Sequence, residues 1–132
     1  MDIVVDTSVV IAVLLNEPSK AGIVAATTGC SLIGPAVIPW EVGNALSAMF
    51  KKKRIGLALA QKALTAFEDV PIRYVDVDMS RSLRMAYDFR IYAYDAYFLD
   101  CARRHTAPLI SLDDTLVAVA RGMGIDVREV AR

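Results

Sequence analysis

The sequence predicts an α/β protein, a three-layer α/β/α sandwich with a mainly parallel central sheet of four to five strands. Short apolar runs rich in β-branched residues alternate with segments of helical periodicity along the 132 residues, as in strands connected by covering helices. Hydrophobic residues make up 55% of the chain and the mean hydropathy is +0.42, which fits a sheet buried on both faces. We find no repeat and no linker, so we expect a single domain over residues 1–132.

The first half of the chain predicts two strands and four helices. The β-branched run at 3–5 predicts the first strand, and Pro39 suits the first turn of the third helix, where a missing N–H costs little. Gly56 separates the third helix from the fourth, whose apolar stripe is Ala60, Ala63, Leu64 and Phe67. The expected strands are 3–5 and 31–33, and the expected helices are 8–16, 18–27, one from 39 to a basic run at 51–54, and one after 56.

The second half predicts three more strands and three more helices. Alternating residues predict a strand at 72–77, an apolar run predicts one at 108–112, and a closing edge strand is expected at 126–130. Apolar residues at helical spacing mark the helices. Their stripes are Met79, Leu83, Ala86 and Tyr87; Tyr94, Tyr97, Phe98, Cys101 and Ala102; and Leu116, Val119, Ala120 and Met123.

Four carboxylates stand where elements begin or end. Asp6 follows the first strand and Asp113 follows the strand at 108–112, so adjacent parallel strands would bring both to one crevice. Glu41 lies in the first turn of the Pro39 helix, and Asp95 lies at the start of a later helix. Each aspartate is equally open to interpretation as a helix N-cap, and Glu41 as a residue that favours the positive helix end.

A shared pocket would need a cation. Two like charges about 5 Å apart repel by roughly 3 kcal/mol at an effective dielectric near 20. A ligand set made only of oxygen atoms selects Mg²⁺ or Mn²⁺, and such an ion can stabilise phosphate charge and activate water.

Several other chemistries are excluded by missing residues. His105 is the only histidine, so one chain cannot carry a two-histidine ribonuclease mechanism. The chain has no phosphate-binding GxxxxGK[ST] loop and no GxSxG elbow. Fifteen basic and fifteen acidic residues balance, so any nucleic-acid surface must be a local patch.

Accessory residues have an ordinary interpretation beside a functional one. Asp100 and Asp114 are expected to be solvated, with accessory acids as the alternative. Trp40, Tyr92 and Tyr94 are candidates for base stacking, but Trp40 and Tyr94 are expected instead in the core or at a subunit contact. For the basic candidates a solvated helix end competes with phosphate binding. These candidates are Lys51, Lys52, Lys53, Arg54, Arg103 and Arg104.

Three stretches together resemble the PIN-domain family, and within it the VapC-type toxins of toxin–antitoxin pairs. They are "VVDTSVVIAVLLNE", "IPWEVGNAL" and "YDAYFLDCARRHTAPLISLDDTL". The resemblance implies catalytic and metal-binding roles for the four acids, Asp6, Glu41, Asp95 and Asp113. It also implies polar support from Ser8, Asn44 and Ser111. Ser111 stands where threonine is common, and Asp100 stands where a small apolar residue is expected.

The resemblance further implies a function. A VapC-type protein would be an endoribonuclease that uses Mg²⁺ or Mn²⁺, forms a homodimer, and is inhibited by a VapB-type antitoxin. No apolar run reaches the ~20 residues of a membrane span, so a cytoplasmic location is expected. Two alternatives stay open: a non-catalytic PIN-like interaction module, and a receiver-like signalling domain. The latter is disfavoured because no lysine follows Lys62.

Overall fold

The computed structural model describes residues 1–131 and contains a four-stranded, wholly parallel sheet. Its strands are β1 (Asp2–Val5), β2 (Ser31–Pro35), β3 (Ile72–Val75) and β4 (Leu109–Ile110), in the order β3-β2-β1-β4. Helices cover the sheet, so the predicted α/β/α class is confirmed, with four strands rather than five.

Six helices connect the strands within residues 1–131, and a seventh follows β4. Helix α6 packs on β1, β2 and β4 and against α5, while α1 packs with α2, α3 and α4. None of the helices between residues 1 and 131 combines the length and hydropathy of a membrane span. The helices are α1 (Thr7–Leu14), α2 (Lys20–Thr27), α3 (Ile38–Lys51), α4 (Leu57–Glu68), α5 (Met79–Phe89), α6 (Ala93–His105) and α7 (Asp114–Gly122).

Strand β1 lies at the centre of the sheet and sets the position of the candidate site. Ile3 and Val4 are fully buried, as expected for an apolar strand covered on both faces. β1 pairs with β2 on one side and with β4 on the other, with Val5 beside Ile110. The chain therefore reverses its direction of travel across the sheet at β1, and ligands bind beyond the carboxyl ends of strands at such a point. The expected adjacency of the first strand and the 108–112 strand is confirmed.

Three strand predictions were wrong in extent, those at 126–130, 108–112 and 72–77. The closing edge strand at 126–130 is reduced to one isolated bridge between Leu109 and Val127. β4 itself has only two residues, because the chain turns towards α7 directly after Ile110, so a longer partner strand has nothing to pair with. β3 likewise ends at Val75, before the expected residue 77.

The predicted apolar stripe of α5 was also wrong at three of its four residues, and that of α4 was wrong at Leu64, which is 41% exposed. Met79, Leu83 and Tyr87 are 60%, 67% and 80% exposed, whereas the buried positions of α5 are Ser82 and Met85. A small serine occupies the inner face where α5 packs closely on α6. The spacing of large apolar residues therefore identified the solvent-facing side of this helix.

Candidate functional site

Asp6 is held at the carboxyl end of β1 by two serine hydroxyls. The carboxylate is 7% exposed, and its Oδ2 accepts hydrogen bonds from Ser8 Oγ (2.6 Å) and Ser111 Oγ (2.7 Å). Asp6 occupies the N-cap position of α1, but its side chain makes no capping hydrogen bond. The capping interpretation of Asp6 was therefore wrong, and its carboxylate is directed to the serines.

The two serines also connect β1 to the loop after β4. Ser8 Oγ accepts the backbone N–H of Leu112 at 3.0 Å, and Ser111 Oγ accepts that of Asp113 at 3.0 Å. Each hydroxyl thus accepts from the backbone and donates to the same carboxylate oxygen. This arrangement fixes the orientation of Asp6 and explains why hydroxyl residues suit both positions.

Glu41 has a partner that the sequence did not reveal. It lies in the first turn of α3, is partly buried, and its Oε1 accepts a hydrogen bond from Thr7 Oγ1 at 2.7 Å. Thr7 is 8% exposed and directly follows Asp6. In the sequence the only indication of this contact is the Thr7 hydroxyl beside Asp6, for which no role was predicted.

The other two acids differ in how they are held. Asp113 is the N-cap of α7, because its Oδ1 accepts the backbone N–H groups of Thr115 (3.0 Å) and Leu116 (3.1 Å). The capping interpretation of Asp113 is thus confirmed. Asp95 lies in the first turn of α6, where the N-cap position belongs to Tyr92, so the capping interpretation of Asp95 was wrong.

The four acids act on one another electrostatically. Burial raises the pKa of Asp6; the Ser8 and Ser111 hydroxyls and the Thr7 amide lower it, and the charge of Asp113 raises it further. Burial likewise raises the pKa of Glu41 against the lowering effect of Thr7, with Asp6 and Asp95 adding to the rise. The pKa of Asp95 is raised by burial and then by Asp113 and Asp6. The structure therefore brings all four predicted acids into one negatively charged cluster.

No basic side chain among the described residues forms an ion pair with this cluster. The ion pairs found among residues 1–131 join Arg73 to Asp2, Arg84 to Asp88, Arg104 to Asp100 and Arg121 to Glu129. None of them involves a cluster acid. The excess negative charge can be compensated by protonation or by a bound cation.

The donor set fits a hard divalent ion held partly through water. Within residues 1–131, no three carboxylate, thiol or imidazole side chains already lie in the arrangement of a metal cage. Mg²⁺ is usually held by one or two carboxylates and keeps several waters, so it needs no such cage. Carboxylate oxygens with hydroxyl support, and no thiol or imidazole nearby, match Mg²⁺ or Mn²⁺.

A cleft of about 610 Å³ opens beside the acids. Its lining includes Thr7, Ser8, Glu41 and Asn44, so the third predicted support residue lies on the same wall as Glu41. Two aromatic rings also line it.

Trp40 and Tyr94 are those rings, and they are 77% and 58% exposed. Of the two expected places the core was therefore wrong, and a subunit contact stays a prediction. Trp40 lies in the first turn of α3 and Tyr94 in the first turn of α6.

Asp100 was expected to be solvated and is instead fully buried. Its Oδ2 accepts the backbone N–H of Asp78 at 2.8 Å and lies 3.9 Å from Arg104. Its Oδ1 and the buried Ser82 Oγ have no hydrogen-bond partner among the described residues. Asp100 therefore faces α5 rather than the acid cluster. Asp114 is exposed in the first turn of α7, as expected.

The basic candidates lie far from the acids along their helices. All six are exposed. The run 51–54 is about ten residues beyond Glu41 on α3, or roughly 15 Å at 1.5 Å per residue. Arg103 and Arg104 lie in the last turn of α6, at the opposite end from Asp95, and Arg104 donates to the carbonyl oxygen of Asp76.

Several solved structures have a similar fold. PAE2754 from Pyrobaculum aerophilum gives a TM-score of 0.71 at 21% identity, covering 92% of this chain and 90% of that one. VapBC2 from Rickettsia felis, bound to a DNA fragment from its promoter, gives 0.67 at 13% identity, covering 99% and 100%. FitAcB from Neisseria gonorrhoeae gives 0.61 at 16% identity, covering 96% of each chain. At these identities the likeness shows a shared fold.

The sequence itself matches one family. None of the curated proteins matches it at a significant level. The family model of the PIN domain matches residues 3–122, a range that contains all four acids and both serines that hold Asp6. The match therefore covers most of the chain and confirms the resemblance of its three motifs. This chain belongs to the PIN domain family.

Proposed function

We propose that this protein is a metal-dependent endoribonuclease and the VapC-type toxin of a toxin–antitoxin pair. The observation that carries the proposal is the cluster of four mutually repelling acids at the reversal point of the sheet, without a basic partner among the described residues. Membership of the PIN domain family supports nuclease chemistry, since PIN domains are generally nucleases that use divalent metals.

The four acids would together bind the metal ion and fix its position. Mg²⁺ or Mn²⁺, when bound, supplies Lewis-acid stabilisation of phosphate charge and lowers the pKa of an attacking water. Ser8 and Ser111 keep Asp6 oriented, and Thr7 does the same for Glu41. Such pre-set carboxylates need no rearrangement when charge develops on the phosphate. Hydrolysis by water would leave 5′-phosphate and 3′-hydroxyl ends.

The direct test replaces one acid of the cluster by the amide of the same shape. Asp6→Asn should lower Mg²⁺-dependent cleavage of labelled RNA by at least about 100-fold, as expected when one preorganised electrostatic group is removed. Asp69→Asn is a matched control, because Asp69 is exposed at the C-terminal end of α4. Cleavage at the parent rate by Asp6→Asn would contradict the proposal.

The proposed partners are RNA, a VapB-type antitoxin and a second copy of this chain. Support comes from the structural neighbours, which include the VapBC2 protein and a toxin–antitoxin complex from Klebsiella pneumoniae. Co-expression with the product of the adjacent gene, followed by affinity purification and light scattering, tests both protein partners. Recovery of a lone monomer would contradict both.

A non-catalytic PIN-like interaction module is the second candidate. It is favoured by the capping role of Asp113 and by the absence of a ready metal cage within residues 1–131. The two candidates differ in their response to metal. A nuclease should show a rise in Tm with millimolar Mg²⁺ that Asp6→Asn abolishes, whereas a module without a metal site should show none.

A further inference from the structure

Two exposed aromatic residues each stand directly before a cluster acid. Trp40 precedes Glu41 in the first turn of α3, and Tyr94 precedes Asp95 in the first turn of α6. Successive side chains on a helix are about 100° apart, so each ring lies to the side of its neighbouring carboxylate. Both rings line the same cleft, which therefore has an aromatic group on each of two helices.

The rings are available and one of them is oriented. Trp40 is 77% exposed and Tyr94 is 58% exposed, so neither contributes mainly to the core. Tyr94 meets Tyr97 edge to face, with ring centroids 5.9 Å apart and an interplanar angle of 89°. This contact limits the tilt of the Tyr94 ring and leaves ring surface towards the cleft.

The cleft suits the uncharged part of a nucleotide. Its lining contains no lysine or arginine and does contain Glu17 and Glu41, so its walls do not attract a phosphate. Aromatic side chains bind bases by stacking, which works for any base because every base has a π-face. Asn44 on the same wall offers an amide donor and acceptor to a base edge.

We propose that Trp40 and Tyr94 form a stacking subsite for an unpaired base next to the phosphodiester to be cleaved. This inference rests on the proposed nuclease function, because the cluster acids place the phosphate. A base inside a duplex is already stacked on its neighbours, so the subsite selects RNA that is single-stranded at the cleavage position.

The tryptophan provides its own probe. Trp40 is the only tryptophan in the chain, so its fluorescence reports on this cleft alone. Two short oligoribonucleotides of equal length, one intact and one with abasic central positions, are titrated with Ca²⁺ replacing Mg²⁺ to limit cleavage. The intact oligonucleotide should quench the fluorescence and the abasic one should not. Equal fluorescence responses to the two, while both bind by anisotropy, would overturn the subsite.

The second ring is tested by substitution. Tyr94→Ala should weaken binding of the intact oligonucleotide roughly tenfold and leave binding of the abasic one unchanged, and Tyr94→Phe should restore the parent affinity. Tyr92→Ala is the matched control, since Tyr92 is 82% exposed two residues away and does not line the cleft. A loss of the same size in Tyr92→Ala would overturn the assignment.

The outcomes separate this inference from the proposed function. If Tyr94→Ala cleaves RNA with Mg²⁺ at the parent rate and binds it with the parent affinity, the stacking subsite is refuted. The proposed nuclease function is not affected by that result. Absence of any metal-dependent RNA binding or cleavage refutes both. Quenching of Trp40 by a co-purified protein partner, with no response to RNA, assigns the cleft to that partner and refutes the stacking subsite.

Discussion

Two buried aspartates, Asp6 after β1 and Asp100 within α6, have the same side chain but different surroundings. Asp6 and Asp100 are 7% and 0% exposed. Asp6 is surrounded by hydroxyls and further acids, whereas Asp100 accepts a backbone amide and faces Arg104. Burial alone therefore does not mark a functional acid. The sign of the surrounding charge distinguishes a site that needs a cation from a carboxylate that connects two helices.

The largest expected effect on folding belongs to Asp100. Asp100→Ala leaves the partly buried amide of Asp78 without its acceptor and empties a fully buried position, so we expect a loss of about 2–3 kcal/mol in the free energy of unfolding. Urea denaturation measures it, and RNA cleavage per folded molecule should not change. Asp88→Ala is the control, because Asp88 is partly exposed and pairs only with Arg84 on its own helix. Equal losses in the two variants would show that Asp100 is not a structural connection.

At Asp6 the carboxylate charge should lower the stability of the metal-free protein, and the effect should depend on pH. Raised pKa values mean that the folded protein binds more protons than the unfolded chain, beginning near pH 4. The metal-free protein should therefore lose stability as pH rises through this window. Asp6→Asn keeps a hydrogen-bond acceptor for both serines and removes the charge, so it should raise stability at pH 7 by roughly 0.5–2 kcal/mol.

Urea unfolding at pH 4.5 and pH 7 in EDTA measures this effect. The gain from Asp6→Asn should shrink at the lower pH, because the parent carboxylates are then partly protonated. A variant that is less stable than the parent at pH 7 would show that hydroxyl hydrogen bonds to the charged carboxylate outweigh repulsion and burial. The two aspartates would then be alike in their energetics.

A smaller effect is expected at Thr7, which orients Glu41 without belonging to the acid cluster. Thr7→Val keeps the shape of the side chain and removes the hydroxyl that donates to Glu41. Mg²⁺ affinity, measured by calorimetry, should fall by about fivefold, equivalent to about 1 kcal/mol for one hydrogen bond. Thr65→Val is the control, because that hydroxyl donates only to the carbonyl oxygen of Gln61 on the surface of α4. Unchanged Mg²⁺ affinity in Thr7→Val would mean that Glu41 holds its position without help.

Asp6 and Asp100 also differ in how far their surroundings could be predicted from the sequence. Asp6 and Asp113 directly follow apolar strands, and parallel strands meet at one edge, so local pattern and topology were enough to group these two acids. The environment of Asp100 depends on how α5 packs on α6, and no periodic signal in either helix encodes that packing. Thr7 was missed for the same reason, since its partner lies 34 residues away. Contacts between elements require the assembled layers, whereas positions at strand ends do not.

The smallest effect is expected at Arg104, which was a candidate for phosphate binding. It is exposed, lies 3.9 Å from Asp100, and donates to the carbonyl oxygen of Asp76, at the opposite end of α6 from Asp95. Arg104→Ala should therefore cost less than about 1 kcal/mol of stability, because the guanidinium is in solvent and does not reach hydrogen-bond distance of the buried Asp100 carboxylate. RNA affinity and its dependence on salt should match those of Arg103→Ala, whose side chain is also exposed. A selective fall in RNA affinity for Arg104→Ala would show that RNA also contacts the surface beside Asp100. Both aspartates would then lie next to bound RNA, and the contrast between them would be lost.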